Sequence, residues 1–270
     1  MTWTDQQLPA DHPPVKSGRI GVLVVNLGTP EAPEAGPVRR YLAEFLSDRR
    51  VIEIPPIAWQ PILRGVILNV RPKKSAAAYR EVWTDKGSPL AAITREQAEG
   101  LQARLGDGVT VEWAMRYGEP SIPRQLEKLM SEGCERILLA PLYPQYCAAT
   151  TATVVDKAAD WLREKRWQAS LRTLPPYHDD PVYVNTLAKS VEQHLAGLDF
   201  EPDVVLTSYH GIPQSYFRRG DPYHCHCMKT TRLMREVLGW DEDKLRVTFQ
   251  SRFGPEEWLQ PYTDKTVEQL

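Results

Sequence analysis

The feature that most constrains the fold is a regular alternation of apolar runs and amphipathic segments along the 270 residues. The first run, RIGVLVVNLG at 19–28, is rich in β-branched residues, as in a strand buried on both faces of a sheet. A segment with helical apolar spacing follows it. This alternation predicts right-handed βαβ units, and therefore parallel sheets covered by helices.

The same reasoning places the remaining elements along the chain. Further strands are predicted near 109–115, 136–146, 168–177, 203–211 and 245–254. Helices are predicted at 38–48, 55–70, 75–83, 90–106, 121–133, 151–165, 181–197, 229–239 and 264–270, with Ser75 as the N-cap of the third.

These elements predict an α/β protein with two Rossmann-like lobes, at 19–176 and 177–270, after a disordered leader at 1–18. The second lobe has only two clear strands, and the final helical segment has no strand after it. We therefore expect the second lobe to be incomplete and the chain to be truncated at its C-terminus.

Composition and charge narrow the class of protein. A net charge of -2 gives no overall basic surface for nucleic acid. The chain has no run of about 18 apolar residues, which a membrane-spanning helix needs. Its polar start lacks the apolar region of a signal peptide. Four cysteines are too few for a disulfide framework, so we expect a reduced, cytoplasmic protein.

Three common catalytic motifs are missing. The glycines of NLGTPEAPEAG, at 26–36, are too far apart for the pyrophosphate turn of a dinucleotide fold. The chain also lacks the GxxxxGK[ST] motif and the GxSxG motif. Dinucleotide binding, a P-loop NTPase and the common serine-hydrolase turn are therefore disfavoured.

The candidate site residues follow the predicted strands, because open parallel sheets bind ligands at the carboxyl ends of their strands. His210 ends an apolar strand, where imidazole can accept a proton, bind a transition metal or serve as a structural hydrogen-bonding group. Arg116 and Tyr117 either face the same cleft or lie at the surface, where Arg116 forms an ion pair. Trp258 either packs in the core or forms a wall for a planar ligand.

A second candidate site is the run of His224, Cys225, His226 and Cys227. In an extended segment, side chains two residues apart point the same way, so Cys225 and Cys227 can ligate one metal ion. Their spacing is shorter than the usual C-x₂-C pair. The spacing favours the alternative, an ordinary reduced loop that leads into the helix at 229–239.

The segment IPPIAWQPILRGVILNV, at 54–70, combines an apolar helical pattern with Arg64 and places Arg71 directly after it. Such a helix can lie on a membrane surface. The alternative is a helix that packs at the lip of a cleft or in the core.

Six segments occurring in order resemble the ferrochelatase family, class II chelatases that insert ferrous iron into a porphyrin. The segments are GVLVVNLGTPEAP, RPKKSAAAYREVWTDKGSPL, MRYGEPSI, LYPQYCAATT, SYHGIPQSYFRRGDPY and TFQSRFGPEEWLQPYTD. The resemblance covers the chain from about Arg19 to its end. It implies two flavodoxin-type lobes around a porphyrin cleft, and a lyase of haem biosynthesis that forms metal–nitrogen bonds in protoporphyrin IX or coproporphyrin III.

The resemblance also implies roles for individual residues. His210 matches the cleft histidine of the S-x-H motif, which accepts a pyrrole proton or binds the incoming iron, here a substrate. The residues that match porphyrin-contacting positions are Leu27, Arg116, Tyr117, Tyr143, Gln145, Tyr146 and Trp258. Apolar and aromatic walls can distort the macrocycle and exclude water from it.

Two family features are missing from the 270 residues. The family's glutamate opposite the cleft histidine lies on a segment after PYTD, so we expect this chain to be inactive or impaired. Some members carry a [2Fe–2S] cluster on four cysteines, but the spacing of Cys225 and Cys227 does not match it. We therefore do not expect a cluster on this chain.

Other functions stay open at this point. A related chelatase for another metal or tetrapyrrole shares most of these features, and a non-catalytic porphyrin or haem carrier shares the cleft. A general α/β binding module is the least specific alternative. Product formation with ferrous iron separates an enzyme from a carrier, because a carrier binds porphyrin without metallating it.

Overall fold

The computed structural model describes residues 18–270, so the predicted leader lies outside it except for Gly18. Four strands form the larger sheet of this part of the chain, all parallel and in the order β2-β1-β3-β4. They are β1 (Arg19–Gly28), β2 (Val109–Tyr117), β3 (Cys134–Pro141) and β4 (Ser170–Thr173). The predicted parallel α/β class is confirmed.

β1 is a central strand of this sheet, as its sequence predicts. Leu23 and Val25 are fully buried in a core on one face, and Val22 and Val24 are buried in a second core on the other. Burial on both faces explains why the strand is a continuous apolar run and does not alternate with polar residues.

Helices connect the strands in the expected alternation. They are α1 (Ala35–Ser47), α2 (Pro56–Ile62), α3 (Leu68–Val82), α4 (Pro89–Leu105), α5 (Ile122–Ser131), α6 (Thr153–Arg163), α7 (Pro181–Leu195), α8 (Gln214–Arg218), α9 (Tyr223–Leu238) and α10 (Thr263–Gln269). Within the described residues, no helix is both long and apolar enough to cross a bilayer.

The smaller sheet pairs β5 (Val205–His210) with β6 (Leu245–Gln250) in parallel. A small apolar core joins β6 to α7 and α9, through Val184, Met234 and Leu245. Two strands in the described residues are what the sequence predicts for the second lobe. The predicted boundary between the lobes, at 176 and 177, falls in the connection between β4 and α7.

The segment after α1 differs from the prediction. The sequence predicts a new helix that begins at Ser75, but a single helical path runs through α2, a π-helical turn (Leu63–Ile67) and α3. Pro61 and Pro72 lie inside this path. An interior proline costs a backbone hydrogen bond, which burial of Leu63 and Ala76 in the core helps to offset.

Candidate active site

Arg116, at the end of β2, is held in a buried ionic network. Its Nε donates to Thr153 Oγ1 at 2.7 Å and to the Thr153 carbonyl at 3.0 Å, and its Nη2 donates to Asp48. The side chains of Arg116 and Asp48 are 10% and 9% exposed. This pair is not the surface ion pair considered from the sequence. A charge that is so buried depends on its partners, and they fix its position.

Asp48, which follows α1, supplies the negative charge of this network. Burial alone would raise the pKa of its carboxyl group. Hydrogen bonds from Thr153, from the Arg50 backbone and from Tyr117, in that order, outweigh burial, and the Arg116 charge adds to them. The pKa of Asp48 therefore lies below its ordinary value, and the carboxylate is ionised at neutral pH.

Tyr117 belongs to the same network and is fully buried. Its hydroxyl donates to Asp48 Oδ2 at 2.8 Å, and its ring meets Phe45 edge to face at 5.1 Å between centroids. Burial raises the pKa of Tyr117, so the phenol stays neutral. Leu27, at the end of β1, packs against the apolar cluster that contains Tyr117. The structure thus brings Leu27, Arg116 and Tyr117 together.

Tyr143 begins the loop that follows β3. Its ring packs against the larger core, and its hydroxyl is buried without a hydrogen-bond partner among the described residues. Burial raises the pKa of Tyr143 well above its usual value, and the phenols of Tyr117 and Tyr41 add to the effect. Buried hydroxyls are rarely unpaired in proteins, so Tyr143 is one of the few exceptions among the described residues.

Gln145 and Tyr146 lie further along this loop and contact α9 of the second lobe. Gln145 Nε2 donates to Thr230 Oγ1 at 3.0 Å, and the Tyr146 backbone N–H donates to His226 Nδ1 at 3.1 Å. The Ala148 N–H donates to Asp221 Oδ2 at 2.8 Å. The loop therefore joins the two lobes through hydrogen bonds.

His210 ends β5 and is exposed. Its Nδ1 lies 2.7 Å from the carbonyl oxygen of Gly211. A carbonyl can only accept a hydrogen bond, so in this arrangement Nδ1 carries the proton. In the neutral ring Nε2 then keeps its lone pair, which can accept a proton or bind a metal ion.

Trp258 packs against Gly211, the residue that follows His210. It is buried, its Nε1 donates to the Phe253 carbonyl at 3.0 Å, and it forms a backbone bridge with Pro213. A Cβ on Gly211 would lie 3.3 Å from Trp258 Cε3 and 3.0 Å from the Gln250 carbonyl. A methyl group at this position would therefore require its neighbours to move by a few tenths of an ångström.

The Cys225 and Cys227 prediction needs correction, because the segment is helical and not extended. Each residue of a helix is rotated by about 100° from the one before it, so residues two apart point to nearly opposite sides. Cys225 is exposed, whereas Cys227 is fully buried near Cys147. Burial raises the pKa of Cys227 to about 12, which disfavours the thiolate that a metal needs. Among residues 18–270, no group of three or more His, Cys, Asp or Glu could hold a metal ion.

The predicted residues form two groups. Leu27, Arg116 and Tyr117 lie together in the first lobe, and His210 and Trp258 lie together in the second. The loop that carries Tyr143, Gln145 and Tyr146 runs between the lobes.

Sequence reasoning missed three partners that hold these residues, namely Asp48, Thr153 and Asp221. It named His226 only as part of the His-Cys-His-Cys run. Asp48 lies 68 residues before Arg116 in the chain, so no local pattern joins them. Asp221 had a signal, because it belongs to the RRGDPY segment that carries the resemblance.

Comparison with known proteins agrees with this arrangement. The family model described as ferrochelatase matches residues 19–270. The chain is 60% identical to the ferrochelatases of Agrobacterium fabrum and Allorhizobium ampelinum, over 97% of its own length and 78% of theirs. It is also 60% identical to the ferrochelatase of Rhizobium meliloti, over 96% of this chain and 78% of the relative.

The parallel sheets define an α/β protein, a class that binds ligands at the carboxyl ends of its strands. Family membership is more specific than this class. The chain belongs to the ferrochelatase family.

Proposed function

We propose that this chain inserts ferrous iron into a porphyrin, as a lyase of haem biosynthesis. Membership of the ferrochelatase family supports this activity. Within the structure, the observation that carries the proposal is the exposed His210 at the end of β5. Its protonated Nδ1 is engaged by the Gly211 carbonyl, so Nε2 is available for chemistry.

His210 is the reacting group in this proposal. Insertion requires two pyrrole protons to leave the macrocycle while the iron loses its water ligands. The Nε2 lone pair can accept a pyrrole proton or bind the iron as it enters. The hydrogen bond at Nδ1 sets the tautomer and the orientation of the ring.

In this proposal five residues supply the walls of the porphyrin site, namely Leu27, Tyr143, Gln145, Tyr146 and Trp258. Leu27 is half-buried and offers apolar surface, and the buried Trp258 packs against Gly211, directly after β5. The Tyr143 hydroxyl lacks a partner among the described residues. Flat, partly polar ligands suit such amphipathic aromatic surroundings.

Arg116 and Tyr117 have a supporting role. Asp48 already balances the Arg116 charge, and Thr153 occupies its Nε. An Arg committed to these bonds would have to break them before it met a porphyrin propionate. In this proposal Arg116 therefore stabilises the residues that line the porphyrin site and does not contact the porphyrin itself.

Anaerobic metallation under single-turnover conditions tests the proposed function. The chain is held in excess over protoporphyrin IX or coproporphyrin III, ferrous iron is added, and the absorbance of the product is followed, so that a slow rate stays measurable. General acid–base groups typically contribute about 10²- to 10⁴-fold, so we expect His210→Ala to slow insertion at least ~100-fold. Equal rates for the two proteins would refute the role of His210.

The carrier alternative has a distinct outcome in the same assay. A chain that perturbs the porphyrin spectrum but forms no metalloporphyrin above the protein-free background would be a binding protein. Replacing ferrous iron with cobalt or zinc ions tests the alternative of a chelatase for another metal.

We also propose that α2, the π turn and α3 touch a membrane surface at the cytoplasmic side. Ile57, Val66 and Val70 are 88%, 58% and 70% exposed, which is unusual for large apolar side chains on one helical path. The exposed basic residues of this stretch are Arg64, Arg71, Lys73, Lys74 and Arg80. Apolar and basic residues together favour anionic lipid surfaces.

Vesicle co-sedimentation tests the membrane proposal. With vesicles that contain anionic phospholipid, the double variant Ile57→Ser/Val70→Ser should sediment less than the wild type. Val182→Ser is the matched control, because Val182 is 75% exposed on α7, outside the proposed surface. Equal sedimentation of all three proteins would contradict the proposal.

A further inference from the structure

The first turns of α9 hold the loop after β3 from the opposite lobe. We name residues 143–148 the bridging loop. Its backbone is bound at Tyr146, which donates to His226, and at Ala148, which donates to Asp221. The Gln145 side chain adds a third contact, to Thr230. Three bonds from one helical segment to six loop residues fix the loop relative to the second lobe.

The His226 ring is itself held in place. It stacks on His178 with 3.6 Å between ring centroids and an angle of 8° between ring planes. The Thr230 hydroxyl lies 2.8 Å from the His178 carbonyl and 3.0 Å from the His226 carbonyl, and can donate to either. Nδ1 accepts the Tyr146 N–H, so the stack directs the acceptor at a single loop amide.

Asp221 connects the loop to the start of α9. One carboxylate oxygen accepts the Ala148 N–H at 2.8 Å, and the other accepts the Tyr223 N–H at 3.0 Å. A carboxylate makes stronger hydrogen bonds to backbone N–H groups than a neutral acceptor does. The same side chain therefore stabilises both the beginning of the helix and the end of the bridging loop.

We propose that His226 and Asp221 are positioning residues, which hold the bridging loop in the shape that presents Tyr143 and Tyr146 to the porphyrin. This inference rests on the proposed function, since it gives the loop a porphyrin to meet. A loop ordered before binding does not lose conformational entropy when the ligand arrives. The His-Cys-His-Cys run thus serves the site through His226.

Porphyrin titration, followed by absorbance, tests the proposal on the full chain. His226→Ala removes the acceptor, and Asp221→Ala removes both oxygens. A hydrogen bond of this kind contributes on the order of 1 kcal/mol, so we expect each variant to raise the porphyrin Kd about 5- to 10-fold. The single-turnover insertion rate at saturating porphyrin should change less than about 3-fold.

Two further variants separate positioning from folding. Asn carries an acceptor oxygen as many bonds from the backbone as His Nδ1, so His226→Asn should restore the wild-type Kd within about 2-fold. Cys225→Ser is the matched control, because Cys225 is exposed on the same turn of α9 and should leave binding unchanged. Amide hydrogen exchange in residues 143–148, without porphyrin, should rise in His226→Ala and not in His226→Asn.

The outcomes are distinct. Wild-type Kd and wild-type exchange in His226→Ala would overturn the inference, as would equal losses in His226→Ala and His226→Asn. A wild-type chain that binds no porphyrin would instead overturn the proposed function. The exchange comparison would then still decide whether His226 holds the loop.

Discussion

The carboxyl ends of β2 and β5 occupy equivalent places in two parallel sheets but have opposite environments. At β2, Arg116 is 10% exposed and bound to Asp48 and Thr153. At β5, His210 is exposed, and its imidazole bonds only to the next carbonyl among the described residues. The first end is closed by ionic contacts, whereas the second keeps a reactive nitrogen available.

The difference follows from the neighbours of each strand end. Asp48 and Thr153, from α1 and α6, converge on Arg116 and satisfy its guanidinium. Beside His210, Gly211 has no side chain, and Trp258 presents an apolar face. Position at a strand end therefore does not by itself make a residue reactive, because the surrounding residues decide whether its polar atoms are already used.

The largest loss of stability is expected when the buried ion pair of Arg116, at the end of β2, is broken. Asp48→Ala removes the buried partner of Arg116 and leaves the more exposed Glu44, 3.8 Å from Nη1, as its counter-charge among the described residues. Breaking a buried pair costs about 3–5 kcal/mol. Urea denaturation measures the free energy of unfolding. Asp156→Ala is the control, because Asp156 pairs with Arg50 at an exposed site, where surface pairs contribute about 0–1 kcal/mol. Equal losses in the two variants would show that the Arg116 network is not a buried ion pair.

A smaller loss of stability is expected from adding a methyl group at Gly211, which follows His210 at the end of β5. Gly211→Ala places a methyl group against Trp258 and the Gln250 carbonyl, and overpacking of this kind costs about 1–3 kcal/mol. Gly100→Ala is the control, because no atom lies within 4 Å of its new Cβ in α4. An Ala there should stabilise the helix by about 0.5–1 kcal/mol. Stabilisation by both substitutions would contradict the packing described for Trp258.

The ion pair between Asp48 and Arg116 also predicts that the free energy of unfolding depends on pH. The folded-state pKa of Asp48 is lowered, so its contribution to stability is present above its ordinary pKa of about 4 and is lost as the pH falls toward the lowered value. The difference in unfolding free energy between the wild type and Asp48→Asn should be constant from pH 5 to 7 and shrink below about pH 4. A difference that grows on acidification would contradict the assigned charge.

The smallest effect on stability is expected from the replacement of His210, at the end of β5. His210 is exposed, and among residues 18–270 its side chain bonds only to the Gly211 carbonyl. His210→Ala should therefore change the unfolding free energy by less than about 0.5 kcal/mol. A loss as large as that of Asp48→Ala would mean that His210 is a structural residue.

The two ends also show how far the sequence can predict the structure. The apolar runs of β1 and β5 predicted both strands, and with them the positions of Leu27 and His210. The environment of Arg116 could not be predicted, because Thr153 and Asp48 lie 37 and 68 residues away in the chain. Contacts at such separations depend on the packed fold and not on local periodicity.

The start of α9 was missed for a related reason. The sequence favours a reduced loop at 224–227, and His and Cys are weak helix formers. In the structure Cys227, His226 and His224 all pack against other elements. Tertiary packing stabilises helices whose sequence alone favours them weakly.

Porphyrin titration of the wild type and His210→Ala tests most directly the claim that this chain carries a porphyrin site in which His210 is the reacting group. The account predicts a saturable shift of the porphyrin absorbance band with one porphyrin per chain in both proteins, with Kd values within about 3-fold. It also predicts that metalloporphyrin appears faster with the wild type when ferrous iron is added. An unchanged porphyrin spectrum at all concentrations of the wild type, or equal metallation by both proteins, would contradict the account.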